Sequence, residues 1–317
     1  MMGRGRANTL LLLTAFLWGA GNVAQQTVLD HIGPVTAVGI RCVIAALVLF
    51  PFAVRSKELK TGLGKAGKKL VLLTICSFAT GITLLQIGFG QTTVINASFL
   101  VNTATVMTPL GVWIYTRRRP SVLLWPIAIA TFAGACLMVG GSPRSFNTGD
   151  VLCLLAAVFY VIWTICLGEF MQRHRGAFLI SLLQFSITGL LCTILGLFIE
   201  PFTLAGLRDA APELILLGVF STGLGYVLQA IAQEHTPPSE ANIILSGEAV
   251  FGAMGGMILL GETLNFTGFL GALLILICVF LVQMPDRRFS RSRPTKIKSA
   301  VACRVRPEYL PGSRRGN

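Results

Sequence analysis

The stretch KLVLLTICSFATGITLLQIGFG, residues 69–90, decides the fold. It carries no acidic residue, and its one cation, Lys69, stands at its edge. An apolar run of this length rises about 30 Å as a helix, the thickness of a bilayer's hydrocarbon core. Its pattern also returns later in the chain. Phe78, Thr80 and Gly81 recur as Phe220, Thr222 and Gly223 at an offset of 142, and Leu85, Gln86 and Thr93 recur as Leu228, Gln229 and Thr236 at 143. The chain therefore reads as two related halves.

Apolar runs of the same kind lie near 9–29, 34–54, 94–116, 121–141, 149–169, 177–199, 213–235, 240–260 and 265–284. Hydrophobic residues make up 54% of the 317 and charged ones only 12%, with a mean hydropathy of +0.74. Soluble proteins of this size carry about twice that charged fraction. The expected fold is an all-α integral membrane protein with ten transmembrane helices. Because five is odd, the second half enters the membrane from the opposite face, so the helices form two inverted five-helix repeats. The expected organisation is a short N-terminus (1–8), a first repeat (9–141), a second repeat (142–284) and a basic tail (285–317). Segment 9–29 starts like a signal peptide but lacks an A-x-A site and continues with Asn22, Gln25 and Gln26, so it reads as the first span.

The net charge of +13 does not point to nucleic acid. With the N-terminus cytoplasmic, 23 of the 26 Lys and Arg residues fall inside, including Arg55, Lys57, Lys60, Arg117 to Arg119, Arg173, Arg175 and the tail from Arg287 to Arg315. Outside loops hold Arg144 and Arg208, and Arg41 lies within a span. The positive-inside rule then places both termini in the cytoplasm, with the tail near anionic lipid. Seven of the eight cysteines fall within spans and Cys303 in the tail. They read as small apolar residues in a reducing setting.

Gly225-Tyr226, Gln229, Gln233, Thr236-Pro237, Ala241 to Glu248, Leu260-Gly261-Glu262 and Gly271 to Ile275 form an ordered set. The first half matches with Trp18-Gly19, Arg41, Pro109, Arg117 to Pro120 and Gly134. This pattern, over residues 9–284, resembles the EamA domain of the drug/metabolite transporter superfamily. The resemblance implies a ten-helix carrier of the bacterial inner membrane, driven by a gradient or by exchange. Glu248 is followed by Ala249, where the family usually has proline, so the helix kink that the resemblance implies there is not carried over to this chain.

Polar side chains at helical spacing mark faces turned from lipid. Thr14, Trp18, Asn22 and Gln25 form such a face in span 1. Ser98, Asn102, Thr105 and Pro109 do so in span 4, and Thr222, Tyr226, Gln229 and Gln233 in span 8. Thr83 and Gln86 give span 3 a shorter stripe, and Tyr160 and Trp163 put aromatic rings on span 6. Such groups serve either as hydrogen-bonding glue between helices or as the lining of a substrate cavity. The cavity candidates are Trp18, Asn22, Thr83, Gln86, Asn102, Tyr160, Trp163, Thr222, Tyr226 and Gln229. Asn242, Ser246, Ala249, Ala253 and Gly256 read instead as a small-residue packing face of span 9.

Glu248 and Arg41 are intramembrane ionisable residues and hence candidates for charge or proton coupling. They either pair, or Arg41 snorkels outward. Glu262 reads as solvated at the outer boundary. An enzyme is disfavoured, because His31, His174 and His235 are scattered without metal-ligand spacing. Gly62, Gly67 and Lys68 approach a P-loop, but Lys69 replaces its Ser or Thr. A channel or receptor would call for charged rings or a filter motif, and neither is seen. The expected function is a secondary-active transporter, read as an exporter, of a small organic metabolite such as an amino acid. No cofactor or metal is called for. Its partners are the small-molecule substrate, the lipid bilayer and, through Glu248, protons.

Overall fold

The computed structural model describes residues 3–56, 65–117, 120–138, 147–259 and 263–284, and every regular element among them is helical. Lys57, Lys60, Gly62, Arg118, Arg119, Gly141, Arg144, Leu260 to Glu262 and the tail from Pro285 with Cys303 lie outside the described residues. The order is α1 (Arg4–Thr27), α2 (Pro34–Arg55), α3 (Lys65–Phe89), α4 (Val94–Val101), α5 (Ala104–Thr116) and α6 (Leu124–Met138). It continues with α7 (Thr148–His174), α8 (Ala177–Ile199), the short α9 (Leu204–Asp209) and α10 (Ala211–Ile215), then a π-type stretch (Leu216–Gly225) and α11 (Tyr226–Gln233). The last are α12 (Pro238–Leu245), α13 (Glu248–Leu259) and α14 (Phe266–Gln283).

Nine stretches among the described residues are long and apolar enough to cross a membrane, and the apolar helix Leu124–Met138 is the tenth at 15 residues. The reason is chemical: hydrocarbon offers no partner for N–H or C=O, so each crossing segment must close its own backbone hydrogen bonds. The surface is apolar, and polar side chains lie inside together with a hydrophobic core. Leu47, Phe198, Ile258 and Phe266 are exposed, whereas Asn22, Arg41, Gln86, Gln184, Gln229 and Gln233 are buried. Several helix starts carry side-chain caps. Asn147 and Asp150 form a reciprocal capping box at α7, and the Asn265 side chain accepts from Gly268 N–H at 2.7 Å at α14.

Packing follows a pattern that exchanges the two halves. Helix α2 lies along α8, and α6 along α14. The pairing of α3 with α7 has its counterpart in α1 against the π-type stretch and α11. Likewise α4 and α5 pack on α7 as α12 and α13 pack on α1. Two spans are broken at matching places: Val94, Val101 and Ala104 bound the segments of the first, and Pro238, Leu245 and Glu248, each 144 residues later, those of the second. Both breaks have local causes. Asn102 Nδ2 donates to Ser98 O at 2.8 Å and Thr103 Oγ1 to Leu100 O at 2.6 Å. In the second, the Ser246 hydroxyl donates to Ile243 O and Gly247 follows. Short polar side chains that bind nearby carbonyls compete with continued α register. Span 9 thus breaks just before Glu248 without a proline at Ala249.

Glycines allow close backbone approach, as at α6 against α14. A Cβ on Gly271 would sit 2.3 Å from Gly134 O, and one on Gly134 would sit 2.8 Å from Gly271 O. Gly271→Val therefore forces the two helices apart, at a cost of about 1–3 kcal/mol. The thermal midpoint of the purified protein in detergent should fall accordingly. Gly255→Ala, whose Cβ would meet Val23 at an ordinary 3.6 Å, should leave it unchanged.

Candidate functional site

A cavity of about 70 Å³ lies among α1, α2, α3, the broken span α4–α5, α7, the π-type stretch, α11 and the broken span α12–α13. Of the sequence candidates, Trp18, Asn102, Tyr160, Trp163, Thr222, Tyr226, Gln229, Arg41 and Glu248 line it. Asn22, Thr83 and Gln86 stand outside the lining. Gln86 Nε2 donates to Gln25 O at 2.8 Å, and Thr83 meets Cys192 Sγ at 3.4 Å.

One wall is aromatic. The Trp18 and Tyr226 rings lie 4.7 Å apart at a tilt, and Phe78 and Trp163 meet Tyr226 edge-on at 5.0 and 5.3 Å. Edge-to-face contacts of this kind fix ring orientation. Tyr160 and Tyr226 share a hydroxyl hydrogen bond of 3.0 Å, and Trp163 Nε1 donates to Gln184 Oε1 at 3.0 Å. Trp18 Nε1 donates to Ser221 O at 3.0 Å. The π-type stretch returns to α register with Tyr226 N–H bonded to Thr222 O, a change of register that leaves one carbonyl of the preceding turn over. Gly225 leaves the space for this contact, since a Cβ there would meet Trp18 Nε1 at 2.7 Å.

The charged members of the lining are Arg41 and Glu248, and neither sequence reading of Arg41 holds. No ion pair within 4.0 Å joins them among the described residues, and Arg41 does not snorkel, being 2% exposed. They are linked instead through two amides. Arg41 Nη1 donates to Gln25 Oε1 at 3.0 Å, Gln25 Nε2 to Asn22 Oδ1 at 2.8 Å, and Asn22 Nδ2 to Glu248 Oε1 at 3.0 Å. Asn22 Nδ2 also reaches Ser98 Oγ at 3.1 Å. Arginine can only donate, so it turns Gln25 Oε1 toward itself, and each later amide presents its N–H toward the carboxylate.

The reading of span 9 as a packing face needs correction at its first turns. Asn242 and Ser246 line the cavity, and Asn242 Nδ2 donates to Thr108 Oγ1 at 2.6 Å. Gly252 does pack, since a Cβ on Gly19 of α1 would fall 2.7 Å from Gly252 N. The helix break at Ser246 and Gly247 separates the two roles. Gln25, Thr105, Thr164 and Ser221 also line the cavity. Gln25 and Thr105 lie on the polar stripes, a signal strong enough to have picked them out.

At the membrane face where α1 begins, Arg4 pairs with Glu240, Asn8 Oδ1 accepts from Thr236 at 3.0 Å, and Arg175 pairs with Glu234 at 2.8 Å. At the other face Glu200 caps the start of α2, accepting from Val35 N–H and Thr36 N–H, both at 2.8 Å. A carboxylate there is favoured by the free N–H groups of the helix end.

The lining makes a labelling prediction. In a cysteine-free background, Thr222→Cys and Ser246→Cys should react in membranes with a small methanethiosulfonate cation, and Thr83→Cys should react at least about tenfold more slowly. Equal rates at all three positions would contradict this lining.

Residues 5–140 and 147–284 each match the EamA-like transporter family. An uncharacterized transporter of Archaeoglobus fulgidus is 28% identical over 282 residues, covering 86% of this chain and 84% of its own. The uncharacterized inner membrane transporter YicL of Salmonella typhimurium is 26% identical over 308 residues, covering 92% of this chain and 100% of its own. A solved crystal structure superposes with a TM-score of 0.73 at 13% identity, covering 89% of this chain and 99% of that one, a likeness of fold.

Proposed function

This chain belongs to the EamA-like transporter family, and on that premise we propose that it is a secondary-active carrier, working as an exporter, of a small organic metabolite such as an amino acid or a relative. It acts by alternating access across the bacterial inner membrane, with both termini cytoplasmic and protons as the coupling ion. The observation that supports this reading best is the polar, aromatic-walled cavity lined by both halves and flanked by the two matching helix breaks. Discontinuous helices at equivalent places in two halves are where secondary transporters build their sites.

In this reading, rocking of the halves exposes the cavity to each side in turn. The Arg4–Glu240 pair joins the two halves at the cytoplasmic face and must part when that face opens. Glu248 heads α13 at the second break and lines the cavity, so it meets each compartment with the substrate. It carries the proton. Neutral amides, hydroxyls and rings with one cation and one carboxylate suit a neutral or zwitterionic solute better than a multiply charged anion.

Two experiments test this. A reporter active only outside the cytoplasm should work when fused after Gly141 and fail after Met284; activity at both would overturn the topology. In liposomes under an imposed pH gradient, Glu248→Gln should abolish accumulation of the transported solute while sparing exchange of one solute molecule for another, because the amide keeps the shape but cannot cycle a proton. Accumulation equal to that of the unmodified protein would eliminate Glu248 as the coupling group.

A further inference from the structure

Three side chains of the cavity lining hold buried polar atoms without a hydrogen-bond partner. They are Arg41 at Nε, Gln229 at both Nε2 and Oε1, and Thr222 at Oγ1. All three residues are buried, Gln229 and Thr222 completely. Unpartnered groups of this kind are costly in a low-dielectric interior. Other such atoms, among them those of Gln86, Ser181, Thr188 and Gln233, stand outside the cavity, whereas these belong to its lining and can meet a ligand there. Between them they offer a cationic N–H, an amide NH₂ and a hydroxyl.

We infer that these atoms form a carboxylate subsite, in which the single carboxylate of the substrate accepts from Arg41 Nε–H, Gln229 Nε2–H and the Thr222 hydroxyl. The inference rests on the carrier reading and adds the chemical group that the carrier recognises. Arg41 carries the specificity, since a charge-assisted hydrogen bond to a carboxylate is about twice as strong as a neutral one. Gln25 and Asn22 are positioning residues. The relay from Arg41 through their amides to Glu248 occupies Nη1, holds the guanidinium on the cavity wall and keeps the cation and carboxylate apart. Direct pairing with Glu248 would neutralise Arg41 and leave nothing to attract an anion. With one cation in the lining, a second negative charge on the solute would stand uncompensated, which selects a monocarboxylate over a phosphate ester or a dicarboxylate.

The test uses the full-length protein in liposomes, incubated with deproteinised bacterial extract under pH gradients of both polarities. Vesicle contents are then compared with protein-free vesicles by mass spectrometry. The enriched solutes should carry one carboxylate, and the carboxamide analogue of each should enter at least about tenfold more slowly. Arg41→Gln should erase the preference for acid over amide, whereas Arg41→Lys should keep it at a reduced rate. If Arg41→Gln does not fold, the acid-to-amide ratio of the unmodified protein decides alone. Enriched solutes without a carboxylate, or equal rates for acid and amide, would overturn the subsite and leave the carrier reading intact. No enrichment of any solute would overturn both.

Discussion

A polar group in hydrocarbon has no water to turn to, and the rest of this structure depends on that constraint. It makes every described span a helix, turns leucine and phenylalanine toward lipid and draws the amides, hydroxyls and the two intramembrane charges inward. It also gives meaning to the exceptions. Many buried polar side chains bond to neighbouring helices, as Gln86 Nε2 does to Gln25 O and Gln233 Nε2 to Thr164 O. The unpartnered atoms of Arg41, Gln229 and Thr222 share one cavity.

The cavity exists because several helices depart locally from ideal form. Spans 4 and 9 break where Asn102, Thr103 and Ser246 bond to carbonyls of their own preceding turn. Span 8 widens into π-type turns, and Trp18 bonds to the Ser221 carbonyl near the return to α register. These departures sit beside the cavity, which agrees with irregular backbone in membranes being tolerated only where it is buried in protein or faces a cavity. Elsewhere glycine lets continuous helices approach closely, as Gly134 and Gly271 do.

Much of this was legible in the sequence. Hydropathy placed the ten spans within a few residues of the helices found, because the bilayer imposes length and apolarity directly. The polar stripes located the cavity wall on spans 1, 4 and 8, because a helix of fixed period keeps such residues on one face. What was not legible depended on departures from that period. Asn242 and Ser246 looked like a packing face because a continuous helix would align them with Gly256; the break before Glu248 separates them. Arg41 and Glu248 lie on different helices, and the sequence offers no distance between them, so the relay through Gln25 and Asn22 could not be anticipated. Asn22 and Gln86 lie on the right faces, yet they serve the backbone and the relay rather than the lining itself.

The central claim is that two halves rock about this cavity so that one membrane face opens as the other closes. The most direct measurement is the distance between spin labels across the halves at each face, read in the same lipid by pulsed electron resonance. The exposed positions Arg6 and Arg175 report one face, and Gln91 and Thr203 the other. The account predicts two populations at each pair with reciprocal weights, the first pair lengthening as the second shortens when a pH gradient or solute is applied. A single fixed distance at both pairs, or both faces opening together as in a channel, would contradict it.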